Sequence, residues 1–213
     1  MKLRDGYKKT EVGVIPDDWE VKKLSEIGEF KNGINKGKEY FGLGSPFVNL
    51  LDVFGVRKLL SNTVLGLVNS SVYERKFYDL KKGDVLFVRS SVKPTGVGLT
   101  TVIDDDLKNT VFSGFLIRYR DYGKLHLEYK AYCFYEEEFR KRIIDNSTVS
   151  ANTNINQNAL KKVQIALPPT LKEQTAIATA LSDTDALISS LDKLIAKKRN
   201  IKQGAMQQLL TGK

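Results

Sequence analysis

Cysteine and histidine are almost missing from this chain of 213 residues, with Cys133 and His126 as their sole representatives. A lone cysteine builds no disulfide framework, which fits a reducing compartment and predicts a cytoplasmic protein. Cys133 and His126 do not make a ligand set, so no metal site is expected. His126 lies between Leu125 and Leu127 with no serine or cysteine motif to make it a general base. No apolar run approaches the roughly 18 residues of a membrane span. Residues 1–9 carry no apolar stretch of the kind a signal peptide needs.

Cofactor and catalytic motifs are missing as well. Gly42 and Gly44, and again Gly96 and Gly98, are Gly-x-Gly fragments without the third glycine and the strand–helix setting of a dinucleotide site. No phosphate-binding P-loop occurs. The run Leu167–Thr170 lacks the polar residue before its prolines and the aromatic after them that would mark an amino-methyltransferase. Asp17, Glu20 and Lys22 are too crowded in sequence to come from two adjacent strands of a nuclease site. The run Asp104, Asp105 and Asp106 reads as a solvated turn. The expectation is a protein without cofactor and without catalytic activity.

What the chain has is positive charge. Lysine and arginine number 34 against 25 aspartates and glutamates, giving +9 and a pI near 9.4. That balance favours a polyanionic partner, nucleic acid first. Hydrophobic residues at 41% allow an ordinary core, and the length suits one domain with an extension.

Residues 1–17 are polar and turn-rich and read as a lightly packed arm. Alternation over Trp19–Leu24 predicts a half-buried strand. Further strands are expected at 47–53, 85–89, 99–103, 111–119 and 163–167, with a turn at Lys82, Gly83 and Asp84. A helix is expected from Leu127 to Ile144, with Tyr132, Tyr135, Phe139 and Ile143 on one face. Three loops, 31–38, 89–98 and 147–158, combine lysine or arginine with small polar residues and amides. The third holds Asn152, Asn154, Asn156 and Asn158. Asparagine is also a good turn former, so each has a purely local explanation.

From residue 168 onward the pattern changes. Pro168 and Pro169 block any helix upstream, and Thr170 with Glu173 has capping-box spacing. Ile177, Leu181, Thr184, Ile188, Leu191 and Ile195 then recur at alternating steps of four and three, flanked by Ala180, Leu187, Leu194 and Ile201. A 3.5-residue period is a coiled-coil seam. From Leu171 to about Gln203 the helix would span roughly 50 Å. Packing of this stripe on the chain's own body is the alternative. The fold class is therefore α+β: a globular mixed α/β domain with a substantial β-sheet over residues 1–167, then one long C-terminal helix, 168–213, pairing as a coiled coil.

Pro168, Pro169, Glu173, Gln174, Ile177, Ala178, Leu181 and Asp185, with the helix ending Met206–Lys213, resemble the conserved region of type I restriction-modification specificity subunits (HsdS). Gly13, Ile15, Pro16, Trp19, Glu20, Val21 and Leu24 resemble the entry to a target-recognition domain of that family, and Lys82–Leu86 its Gly-Asp turn. Members usually carry two recognition domains and two conserved helices that pair antiparallel. The resemblance thus implies a half-length form, with one recognition domain and one helix, or a fragment of a full-length subunit. It implies double-stranded DNA and a DNA adenine methyltransferase subunit as partners, to which an ATP-dependent restriction subunit can be added. A lone seam must find a second helix, so a homodimer reading a gapped inverted repeat is expected. Its interface would use Ile177, Leu181, Ile188, Leu191 and Ile195. On loop position and side-chain chemistry, Lys36, Lys38 and Lys93 would hold phosphates. Arg89, Ser91, Thr95, Asn152, Asn154 and Asn156 would read bases. A coiled-coil adaptor without sequence-specific binding, or a small DNA-modifying enzyme, remains as the rival.

Overall fold

The computed structural model describes residues 3–212. Met1, Lys2 and Lys213, which belong to the expected arm and helical region, lie outside the described residues. The centre is a five-stranded sheet in the order Gly28–Asn32, Leu116–Asp121, Val85–Val88, Thr100–Ile103, Lys58–Leu59. All neighbours are antiparallel except the last pair. Successive side chains on a strand point to opposite faces. Val85 and Phe87 accordingly enter one core with Ile117, Tyr119, Phe134, Phe139 and Leu160. Leu86 and Val88 enter a second core with Leu116, Val48, Ile103 and Phe112. Short helices cover the first face: Leu24–Ile27, Leu127–Cys133, Glu137–Asp145 and Gln157–Lys162. A small sheet of Phe41–Val48, Gly66–Val68 and Val111–Phe112 lies on the side of the second.

The turn at 82–84 forms as expected, and charge holds it. Gly83 has φ +88°, and its carbonyl accepts from Lys130 Nζ at 2.8 Å. Asp84, buried, takes a two-pronged bond from Arg120 Nε and Nη2, both at 2.7 Å, and accepts the Lys81 N–H at 2.8 Å. Arg118, also buried, donates to Asp79 at 2.8 Å.

Several expectations change. The arm at 1–17 is a hairpin of Tyr7–Thr10 with Gly13–Pro16 that buries Val12 and Ile15. The strand expected over 47–53 ends at Val48. Asn49 then caps a helical turn, Leu50–Val53, and Asp52 accepts the Asn49 N–H at 2.8 Å. That reciprocal cap overrides the β-propensity of the apolar run. The helix 127–144 is two helices, because Glu136 starts the second by accepting the N–H groups of Glu138 and Phe139. Of its expected face, Phe139 and Ile143 are buried, while the Tyr135 hydroxyl donates to the Thr100 carbonyl at 2.6 Å. The strand 111–119 is broken by the turn Ser113–Phe115. A helix at Val72–Phe77, capped by Ser71 and Glu74, was not foreseen.

The long helix runs Leu171–Thr211, 41 residues and about 60 Å. It lies within the expected helical region 168–213 and runs past the ~50 Å span taken from Leu171 to Gln203, and Gly212 at φ +67° supplies the left-handed C-terminal residue. Thr170 Oγ1 accepts the Glu173 N–H at 3.1 Å, so half of the capping box is made. The other half is not: the Glu173 carboxylate accepts from Trp19 Nε1 at 2.8 Å instead. Gln174, 1% exposed, ties the helix root to the body. Its Nε2 donates to the carbonyls of Lys124 (3.0 Å) and Pro168 (3.4 Å), and its Oε1 accepts the His126 N–H at 2.7 Å. Ala178 is buried and Ile177 packs on the first core. From Thr179 to Gly212 every residue is exposed. Arg57, whose guanidinium lies over Tyr132 and Tyr135, meets Asp185 at 2.7 Å.

Asp84→Ala removes one partner of a buried ion pair. Such losses cost about 3 kcal/mol, so the urea midpoint should fall with an unchanged slope. A change below about 1 kcal/mol would mean the Arg120 pair behaves like a surface pair.

Candidate nucleic-acid interface

Two of the three polar loops are joined into one surface. Ser90–Ser91 forms a strand against Thr153–Asn154, which pairs in turn with Thr148–Val149. The Ile155 N–H donates to the Arg89 carbonyl at 2.9 Å. The third loop reaches the same place through the turn Ser113–Phe115. Ile34 pairs with Ser113, the Gly114 N–H donates to the Ile34 carbonyl at 2.8 Å, and the Arg89 N–H donates to the Phe115 carbonyl at 2.9 Å. Gly114 lets the Asn35 side chain approach closely, since a Cβ there would displace the Asn35 amide. Only Arg89 separates Ser90 from the fully buried central strand Val85–Val88, so the surface is carried by the middle of the sheet.

At this junction lies an open groove of about 630 Å³ lined by Leu50, Leu51, Phe54, Ser90–Lys93, Thr95, Gly96, Leu99, Phe115 and Asn152. Of the residues expected to read or hold DNA, Ser91, Lys93, Thr95 and Asn152 come together on its wall. Lys93 and Asn152 are exposed, and the Asn152 side chain has no hydrogen bond among the described residues. Gly96 permits the close packing of the groove, since a Cβ there would lie 2.7 Å from Phe54 and closer still to Ser91. Arg140 supports the loop from behind, donating from Nη2 to the carbonyls of Thr95 (3.0 Å) and Val97 (2.6 Å).

The remaining expected residues sit apart or are otherwise engaged. Arg89 Nη1 reaches the Gly114 carbonyl at 3.4 Å, and Asn154 Nδ2 donates to the Asn152 carbonyl at 3.0 Å. Asn156 Oδ1 accepts the Ala159 N–H at 2.9 Å and caps the helix Gln157–Lys162. Lys36 pairs with Glu74 at 2.6 Å and lies over the Tyr40 ring. That hydrogen bond holds the Glu74 carboxyl below the usual carboxylate range. Lys38 is exposed on the turn Lys38–Tyr40. What sequence reasoning missed is the apolar part: Leu51, Phe54, Val92 and Phe115, which no pattern singled out, are left largely exposed by the fold.

Elsewhere, Asp105 accepts from the Ser61 N–H and hydroxyl, and Asp106 accepts the Lys82 N–H at 3.0 Å, so the acidic run pins a turn. Cys133 is buried, and burial pushes its thiol far above the usual range. Among the described residues, no group of three metal-ligating side chains assembles, and no helix is long and apolar enough to cross a membrane.

With this geometry in view, known proteins can be compared. Residues 16–202 match the type I restriction modification DNA specificity domain family. The chain belongs to that family. It is 30% identical over 213 residues to the provisionally named type I restriction enzyme MjaX specificity subunit of Methanocaldococcus jannaschii, covering 97% of this chain and 49% of that one. It is 30% identical over 191 residues to the MjaIX specificity subunit of the same organism, covering 88% and 42%. The fold is similar to the HsdS subunit of Thermoanaerobacter tengcongensis, with TM-score 0.61, 21% identity, and coverage of 89% of this chain and 42% of that one. The chain thus spans about half the length of the relatives it matches.

Arg140→Met should speed hydrogen exchange at the Gly96 and Val97 amides by about tenfold, the equivalent of losing ~1.5 kcal/mol of charge-assisted bonding. Unchanged exchange would mean that Arg140 does not restrain the groove loop.

Proposed function

We propose that this chain is a non-catalytic specificity unit of a type I restriction-modification system. It binds one half of a bipartite duplex target and directs a DNA adenine methyltransferase subunit to it, with an ATP-dependent restriction subunit as a further partner. The observation that carries this reading is the convergence of two separate polar loops, 89–98 and 147–158, on one groove beside the Ser113–Phe115 turn. Family membership and the +9 charge support it, and the relatives are themselves named specificity subunits.

In this reading residues 1–167 read DNA and 168–213 pair and space the reading heads. Lys93 and Lys38 neutralise phosphates. Ser91, Thr95 and Asn152 meet base edges, with Arg89 and Asn154 beside them. Lys36 and Asn156 keep structural roles, because Glu74 and the helix amides already occupy them. The protein acts in the cytoplasm, where the host DNA lies.

The free seam starts at Leu181 and continues through Ile188, Leu191 and Ile195, which are 42–52% exposed. A second copy related by a two-fold axis covers this seam, while Ile177 stays with its own body. Site symmetry follows protein symmetry, so the target is a gapped inverted repeat.

Methylation-aware sequencing of the host genome, with and without this gene, tests the whole reading. Loss of adenine methylation at a gapped inverted repeat is the expected result; an unchanged methylome shifts the weight to an adaptor role. Leu191→Glu with Ile195→Glu should give monomers in sedimentation, because unpaired carboxylates are costly to bury. A variant that stays dimeric removes the seam as interface. Lys93→Ala should weaken binding on all duplexes and reduce the salt slope by about one. An unaltered slope puts Lys93 off the DNA.

A further inference from the structure

Phosphate contacts and hydrogen bonds leave half of the groove unused. Leu51 is 83% exposed, Val92 81%, Phe115 57% and Phe54 44%, and all four line the same concavity as Ser91, Lys93, Thr95 and Asn152. Single exposed apolar residues are ordinary, but a contiguous group rimmed by polar residues marks a contact surface. These side chains are also held outward by construction. Phe115 tops the turn that joins the loops, with its N–H bonded to the Ser113 hydroxyl at 3.2 Å. Phe54 closes the capped turn Leu50–Val53, and its ring tip would lie 2.7 Å from a Cβ at Gly96.

The mixture of chemistries selects the occupant. An acidic protein surface would match Lys93 but offers nothing systematic for four apolar side chains. A purely apolar partner would strand Ser91, Thr95, Asn152 and Lys93 without partners. In the major groove of duplex DNA, the only apolar feature of a base-pair edge is the thymine 5-methyl. It sits beside the thymine O4 acceptor and opposite the adenine N6 donor and N7 acceptor. A hydroxyl or ammonium donor suits O4, and an asparagine amide suits N6 with N7.

We propose that this groove reads thymine methyl groups, with Val92 and Phe115 as the methyl contacts and Asn152 paired to the adenine. The half-target therefore contains at least one A·T pair that is specified through its methyl group. This inference rests on the DNA-reading role proposed above and adds the chemical feature that is read.

The test uses the full chain and two randomised duplex libraries, one synthesised with thymidine and one with deoxyuridine in its place. Deoxyuridine keeps every hydrogen-bonding group and removes only the methyl. Selection from the thymidine library should return a motif with a fixed A·T position. Replacing that thymine by uracil in the selected duplex should weaken binding about four-fold, the equivalent of ~0.8 kcal/mol for one buried carbon. In the double variant Val92→Ser, Phe115→Ser the two duplexes should bind alike. Both side chains are exposed, so a thermal unfolding curve matching the unsubstituted chain verifies that the body is intact. The same motif with equal affinity in both libraries overturns the methyl contact and leaves DNA reading standing. No motif from either library overturns both.

Discussion

Val85, Leu86, Phe87 and Val88 are all fully buried, and side chains on a strand alternate between faces, so this sheet must be covered twice. That constraint organises the molecule. Helices drawn mostly from the second half of the chain cover one face, with Phe134, Phe139 and Leu160 in one core with Phe87 and its neighbours. The other face is covered by segments around Val48, Val53 and Phe112, which come mostly from the first half. Where the strand ends, at Arg89, the two coverings meet. The Arg89 backbone bonds to Phe115 on one side and Ile155 on the other. The groove therefore sits at a seam between layers, fed by loops from both, and its position follows from the double burial of one strand.

Legibility in the sequence tracks how local the cause is. The long helix was readable because its 3.5-residue period repeats over many turns. The clear period ends near Ile201, and the helix continues to Thr211. The turn at Gly83 and Asp84 was readable from its residues, while its anchors, Arg120 and Lys130, lie on elements distant in sequence. Apolar runs misled where a side-chain cap intervened, as at Asn49 with its reciprocal cap and at Glu136, whose carboxylate accepts two N–H groups, since a few local hydrogen bonds set the structure. The groove was half legible. Its polar wall announced itself by composition, but exposed Val92 and Phe115 look no different in sequence from buried Val97 and Phe112. Only the tertiary placement of the turn 113–115 separates them.

The junction of body and helix shows how one side chain can serve two elements. Glu173 has the spacing to complete a cap on its own helix, yet its carboxylate goes to Trp19. One residue further on, Gln174 fills its donors and acceptor with backbone groups of the 124–126 and 168 segments. The helix thus loses half of a local cap and gains attachment to the body. Trp19, Glu173 and Gln174 all lie within the span that matches the specificity-domain family.

The helix acts mechanically as a lever. Every contact that orients it lies between Trp19–Glu173 at its first turn and Arg57–Asp185, about 21 Å along. The remaining length projects without support from its own body. At the far end, about 60 Å out, each degree of rocking at the root becomes a displacement of about 1 Å. One base-pair step is ~3.4 Å. A play of only about three degrees at Gln174 would thus displace the far end by about one such step, so a few buried hydrogen bonds at the root set how steadily the tip is held.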